Sequence, residues 1–271
     1  MHETTRRGFA LVGPGRAGTT IADALVAAGY RCVAVTGRAG SPSVPAAARR
    51  LDAPAVAVGE AGRDADLVVV ATPDAAISAV ATELASGLRP GALVVHLAGS
   101  RGVDALAPIA VARDDVALGA LHPLQTLTGD AAALDGSWAA VAGPPAVRHL
   151  ARALGLRPFA IAPDRRATYH AAAAVASNHV VALLGQVERL AVQAGIPFEA
   201  FEPLVRRSVA NAFADGPTAA LTGPVARGDV DTVARHLDAI DDDEQRTYRA
   251  LAEAARRLAG RDEPPLRQVL A

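Results

Sequence analysis

The stretch Gly13-Pro14-Gly15-Arg16-Ala17-Gly18 constrains this chain more than any other. It follows the apolar run Phe9-Ala10-Leu11-Val12 and opens a helix-like segment from Thr19 to Ala28 that stops at Gly29. A strand, a tight glycine turn and a helix start, in that order, make a phosphate cradle. Gly13 permits the turn, Gly15 lets the backbone approach a pyrophosphate, and Gly18 lets helix and strand pack closely. The helix start adds free N–H groups and the positive end of a dipole, which favour an anion. Gly13, Pro14, Gly15, Arg16, Ala17 and Gly18 are therefore expected to bind a dinucleotide; a glycine turn with no ligand is the alternative.

Further apolar runs extend this start into a sheet. Arg31–Val35, Ala55–Val58, Asp66–Ala71, Ala92–Leu97, Val116–Leu121, Trp138–Ala142 and Arg157–Ile161 read as strands, with helical segments between most of them. From Asp164 the texture changes to long helical stretches, near Arg165–Ala194, Glu199–Ala214, Asp229–Ala239 and Asp242–Leu258. The expected fold is α/β, a doubly wound, mostly parallel Rossmann sheet followed by an all-α C-terminal domain. The expected division is a dinucleotide-binding domain over 1–163 and a helical substrate or dimerisation domain over 164–271.

The end of the second strand speaks to the cofactor. A ribose 2′-hydroxyl is usually met by an acid roughly 20 residues beyond the glycines, whereas a 2′-phosphate calls for arginine and hydroxyls. Here the chain reads Thr36-Gly37-Arg38-Ala39-Gly40-Ser41, without an acid. Thr36, Arg38 and Ser41 thus point to NADP, with a solvated loop arginine as the alternative. Thr72-Pro73-Asp74 and Ala98-Gly99-Ser100 end later strands at the same crevice. Asp74 reads as a helix N-cap or, facing the cofactor crevice, as a catalytic acid, and Ser100 as a turn serine or a ligand contact.

His122-Pro123-Leu124-Gln125-Thr126 stands directly beyond the strand Val116–Leu121, where open α/β sheets keep their sites. Pro123 is expected to stop strand pairing. On the first long helix, His170, Ala174, Ser177 and Asn178 fall on one face by helical spacing. The alanines between them leave room for a ligand or for a closely packed helix. Asp229 reads as an N-cap and the Asp241–Glu244 acids as a helix entry.

Composition removes several classes of function. The net charge of −1 gives no basic excess for nucleic acid. Cys32 is the sole cysteine, so an intrachain disulfide and a cysteine-rich zinc site are excluded; a reducing cytoplasm fits. No run reaches the roughly 18 apolar residues of a membrane span, and no apolar leader precedes the first strand. There is no lysine, which excludes a Schiff-base lysine, a P-loop lysine and a lysine proton donor.

With these residues in hand, the chain resembles Rossmann-like, NADP oxidoreductase-like proteins with a helical C-terminal domain of unknown function. The resemblance rests on the glycine loop, Leu121–Thr126, Tyr169-His170-Ala171-Ala172 with Ser177-Asn178, and Leu221–Asp229. More distantly it is similar to pyrroline-5-carboxylate reductase, ketopantoate reductase and 3-hydroxyisobutyrate dehydrogenase. The latter two carry a lysine four residues before an asparagine; Asn178 fits the asparagine, but Ala174 stands at the lysine position. The resemblance implies an NADPH-dependent reductase acting on a C=O or C=N bond of a small carboxylate substrate, with a ketopantoate-like keto acid as first trial, in a homodimer. Asn178 would position substrate with Ser177, His122 or His170 would supply the proton, and Arg227 would bind the carboxylate. The missing lysine keeps a non-catalytic NADP-binding or sensing protein open.

Overall fold

Residues 7–271 are described by a computed structural model. The N-terminal stretch expected to hold no apolar leader falls almost wholly outside them. The chain divides into two compact units, Met1–Ser177 and Asn178–Ala271.

Side chains alternate across a strand, so apolar runs without polar interruption must be covered on both faces. β1 (Gly8–Val12), β3 (Leu67–Val70) and β4 (Leu93–His96) obey this rule. Phe9, Leu11, Leu67, Val69 and Val95 enter one apolar cluster with Ile21 and Leu25 of α1 (Arg16–Ala27). Ala10, Val12, Val68, Val70 and Val94 enter the other with Ile77 and Leu84 of α3 (Ile77–Leu84) and Ile109 of α4 (Ala107–Ala112). Each large side chain fully buried this way contributes roughly 1.5–3 kcal/mol.

β2 (Arg31–Thr36), followed by α2 (Ser43–Arg50), β5 (Ala117–Pro123), β6 (Trp138–Ala142) and β7 (Arg157–Ala160), behind α5 (Pro145–Ala153), complete a seven-stranded sheet of order β2-β1-β3-β4-β5-β6-β7. Every pair is parallel except β5 with β6. The chain leaves β1 in one direction to form β2 and returns to the other side for β3. The switch point therefore lies at the carboxyl ends of β1 and β3, where open sheets bind ligands.

Three local expectations are corrected. Ala55–Val58 is not a strand: it makes one bridge, Val35 with Ala55, and turns at Val58–Glu60. The turn is drawn off the sheet edge because Gly59 lies backbone-to-backbone against Gly87, where a Cβ would sit 1.7 Å from the Gly59 carbonyl oxygen. Pro123 does not end pairing; it stands opposite Ala139 in the antiparallel pair. Its missing N–H is tolerated because the ladder bond falls one residue on, from Leu124 N–H to the Trp138 carbonyl at 2.8 Å. α1 begins at Arg16 rather than Thr19, since Gly15 is already its N-cap and Thr19 N–H bonds the Gly15 carbonyl at 2.9 Å.

Beyond β7 the chain is helical: α6 (Arg166–Ala174), a π-helical segment Val175–His179, α7 (Val180–Ala194), α8 (Glu202–Asp215), short α9 (Pro217–Ala220) and α10 (Pro224–Arg227), α11 (Val230–Ala239), α12 (Asp242–Leu258) and α13 (Pro264–Leu270). The single long helix expected over 165–194 is thus interrupted. The change of texture lies at 163/164, whereas compactness divides the chain at 177/178, because α6 starts against the sheet, where Arg166 bonds the loop after β4. In the second unit Val225, Val233, Leu237, Ala252, Leu266 and Leu270 form the core. Asp229 caps α11 through Thr232 N–H at 3.0 Å, and Asp242, Asp243 and Glu244 fill the first turn of α12, both as expected. Among the described residues no helix is long and apolar enough to cross a membrane.

Candidate active site

The glycine turn holds its shape through the protein's own contacts at two of its three glycines. Gly13 has φ +89°, and a Cβ there would meet the Ala71 carbonyl group at 2.9 Å. At Gly18 a Cβ would lie 2.4 Å from the Gly13 carbonyl oxygen and 3.0 Å from the Ala71 Cβ, so helix and strand touch there. Gly15 is different. Its backbone is extended (φ −80°, ψ −173°), which any residue adopts, and a Cβ would meet nothing within 4 Å. Among the described residues nothing demands glycine at this position, and the backbone there is open to approach. No side chain caps α1 and no acid stands in its first turn, leaving its amide groups free for an anion.

These features open on a cleft of about 1150 Å³ in the first unit, lined by the glycine turn, the segment from Thr36 to Pro45 and the segment Ala71–Pro73. Gly13, Pro14, Gly15, Thr36, Arg38, Ser41 and Thr72 all line it. Arg38 is exposed and makes no ion pair among the described residues, Ser41 shares a 2.9 Å hydrogen bond with Ser43, and Thr36 is buried. The Thr72 hydroxyl is buried without a hydrogen-bond partner, an unmet polar group in the cleft wall. Arg16 and Ala17 occupy the first turn of α1 without lining the cleft. A dinucleotide fits this donor set: amides for phosphate, Arg38 with Ser41 and Thr36 at the β2 end, and a free hydroxyl at the β3 end.

A second cluster gathers at the carboxyl ends of β4 and β5. His122 is half-buried, and its Nδ1 lies 2.7 Å from the Tyr169 hydroxyl on α6. His170 packs edge-on against it, ring centroids 5.8 Å apart. Both rings close on Gly99, whose Cβ would lie 2.6 Å from His170 Cδ2 and 2.7 Å from His122 Nε2. The expected pair of histidines is therefore brought together. Burial first, then the neighbouring His170 and Arg166, push the His122 pKa down to about 4. Burial also pushes Tyr169 up to about 12. With its pKa lowered to about 4, His122, one of the two expected proton donors, is a neutral imidazole at neutral pH.

The loop Gly99-Ser100-Arg101-Gly102 is held at every residue. Gly99 lies between the two histidines, Ser100 Oγ donates to Asp74 Oδ2 at 2.7 Å, Arg166 Nη1 donates to the Arg101 carbonyl at 2.7 Å, and His96 Nε2 donates to the Gly102 carbonyl at 2.8 Å. The N-cap reading of Asp74 is corrected, because its carboxylate serves Ser100 instead of a helix amide. His96 is fully buried, its Nδ1 accepting from Ala98 N–H at 3.2 Å, and burial lowers its pKa.

Ser177 is half-buried and Asn178 exposed, both inside the π segment. The wider π turn breaks the helical spacing that put His170, Ala174, Ser177 and Asn178 on one face. Arg227 is exposed at the end of α10 in the second unit. Sequence reasoning missed Tyr169 as a partner of His122, and missed Arg166 and His96 altogether. The Tyr169–His170 adjacency was the one available signal. Among the described residues no group of three or more His, Cys, Asp or Glu side chains is arranged for a metal.

Residues 2–123 match the family described as a Rossmann-like domain, and residues 132–255 match the family described as a domain of unknown function, DUF2520. No curated protein matches the chain significantly. Among solved structures, a Bacteroides fragilis protein provisionally described as an NADP oxidoreductase superposes with a TM-score of 0.80 at 24% identity, covering 93% of this chain and 98% of that one. A Thermotoga maritima protein gives a TM-score of 0.68 at 23% identity over 93% and 98% of the two chains. Plasmodium falciparum pyrroline carboxylate reductase with NADP bound gives 0.60 at 13% identity over 95% and 99%. At these identities the likeness is one of fold.

Proposed function

We propose that this chain, built from a Rossmann-like and a DUF2520 domain, is an NADPH-dependent oxidoreductase that reduces a C=O or C=N bond of a small carboxylate substrate. The observation that carries this reading is Gly15, a glycine that the protein's own packing does not require, set in a cleft at the sheet's switch point. The solved relative with NADP bound supports the choice of cofactor. Arg38, Ser41 and Thr36 would take the 2′-phosphate, the first-turn amides of α1 the pyrophosphate, and Thr72 a polar group farther along. When bound, NADPH supplies the hydride.

From the β2 end across the glycine turn, a dinucleotide continues toward the ends of β3, β4 and β5. The Gly99 loop and its histidines stand there. His122, held neutral, shares its Nδ1 hydrogen bond with the Tyr169 hydroxyl and fixes its position. His170, exposed beside Gly99, is the donor of the substrate proton. Asn178 and Ser177 remain the proposed positioning groups. An imine substrate that arrives protonated needs less help from the protein, and the absent lysine favours it over a ketone.

A homodimer is also proposed: α8 contains no buried residue and leaves Leu204 63% and Phe213 89% exposed. A cytoplasmic setting accords with the single cysteine.

Titration with NADPH and NADH, followed by nicotinamide fluorescence, tests the cofactor. Mixing with ketopantoate or a cyclic imino acid, followed by loss of NADPH absorbance, tests the reaction. Preferential NADPH binding with turnover is expected, and a selective drop in turnover for His170→Gln. Absence of binding removes the whole reading. Tight binding with no turnover on any keto or imino acid would leave the sensing protein, which the absent lysine also favours.

A further inference from the structure

Arg166 is a buried guanidinium without a counter-ion. It opens α6 at 2% exposure, forms no ion pair among the described residues, and spends Nη1 on two carbonyls, those of Arg101 at 2.7 Å and Gly99 at 3.5 Å. Its Nη2 is buried with no hydrogen-bond partner among the described residues. A buried cation is normally paired, and a buried donor is normally bonded; Arg166 meets neither rule.

The groups around it do not supply the missing charge. His96 and His122 are held neutral by burial, and Tyr169 keeps its proton. Asp104 acts on Arg166 only at a distance and is exposed, while Asp74 is engaged by Ser100. The local field is therefore positive, and its source is one planar fork whose outer nitrogen is idle. That is the chemistry of a carboxylate site. His170 lies one helical turn from Arg166 and against the same Gly99, and it is exposed. Nη2 itself is buried, so an anion reaches it only if a neighbouring side chain moves, and the exposed His170 ring is the one proposed to do so.

We infer that Arg166, rather than Arg227, receives the substrate carboxylate, through Nη2, beside the cluster of Gly99, His122, Tyr169 and His170. This deepens the functional reading above and rests on it. It also defines the substrate class: a small acid whose reducible carbon lies within a bond or two of the carboxylate, since the proposed donor His170 and Arg166 both touch Gly99.

The test is side-chain NMR of the protein labelled with [15N]arginine, titrated with oxalate and with chloride and without NADPH. A buried guanidinium gives slowly exchanging resonances, and Arg166→Lys assigns them by their loss. Oxalate is expected to shift those resonances saturably and chloride to leave them in place. Arg166→Lys should raise KM for the substrate at least tenfold while NADPH affinity stays within twofold, and Arg227→Lys should change neither. Unshifted Arg166 resonances in oxalate overturn the assignment, as does an equal response to chloride. This readout uses the wild-type protein and no cofactor, so it fails or succeeds independently of NADPH binding.

Discussion

Gly15 and Gly18 lie three residues apart in one turn, and the structure assigns them opposite vulnerabilities. A methyl group at Gly18 would sit 2.4 Å from a backbone oxygen that cannot swing aside and 3.2 Å from Leu11 Cδ1. Over-packing of this kind costs about 1–3 kcal/mol. Alanine returns about 1 kcal/mol through its helix propensity. The net loss for Gly18→Ala is then up to about 2 kcal/mol, or a fall of up to about 8 °C in the unfolding temperature of a unit this size. Gly15→Ala meets no atom within 4 Å. Its loss as an N-cap and its gain in chain stiffness nearly cancel, leaving stability within about 0.5 kcal/mol of the parent. Its methyl group would nevertheless stand where the pyrophosphate approaches. Calorimetry and NADPH titration on both variants are expected to separate: Gly18→Ala melts early, whereas Gly15→Ala melts normally and binds NADPH at least tenfold more weakly. Unchanged NADPH affinity in Gly15→Ala would refute the cradle, and unchanged melting in Gly18→Ala would refute the contact between α1 and β1.

Arg38→Ala is expected to weaken NADPH far more than NADH in the same titration, and equal weakening would remove the 2′-phosphate contact. The folded pKa of His122 lies below its unfolded value of about 6.5, so its contribution is fully present above pH 6.5 and is lost as pH falls toward 4. The shift to about 4 corresponds to roughly 3 kcal/mol. His96, shifted in the same direction, adds to the loss. Urea unfolding at pH 7 and at pH 4.5 should therefore show a smaller acid-induced loss in His122→Asn than in the parent, and an identical loss would contradict the burial of that ring. Cys32 is 4% exposed and its thiol is pushed up to about 11, so an aromatic disulfide reagent should label it only after denaturation.

The sheet was legible where the signal was local. Phe9-Ala10-Leu11-Val12 and Leu67–Val70 announce two covered faces by themselves, and the glycines announce the turn between strand and helix. Ala55–Val58 misled because its apolar pattern is that of a strand, while its fate is set by backbone contact with Gly87, remote in sequence. The π segment had no signature in an alanine-rich stretch. His122 and His170 were each recognised, yet their contact depends on α6 passing over the ends of β4 and β5. Arg166 shows the limit most plainly. In Asp164-Arg165-Arg166 it reads as one more solvated arginine, and only the carbonyls of a loop more than sixty residues earlier turn it inward.

Gly99-Ser100-Arg101-Gly102 has the composition of a flexible hinge, but its mechanics are those of a rivet. Opening it breaks, at once, bonds to β4, to the segment after β3 and to α6. Its local unfolding free energy must then approach that of the sheet itself. Whatever admits substrate to the histidines is then a side-chain rotation rather than a travelling loop.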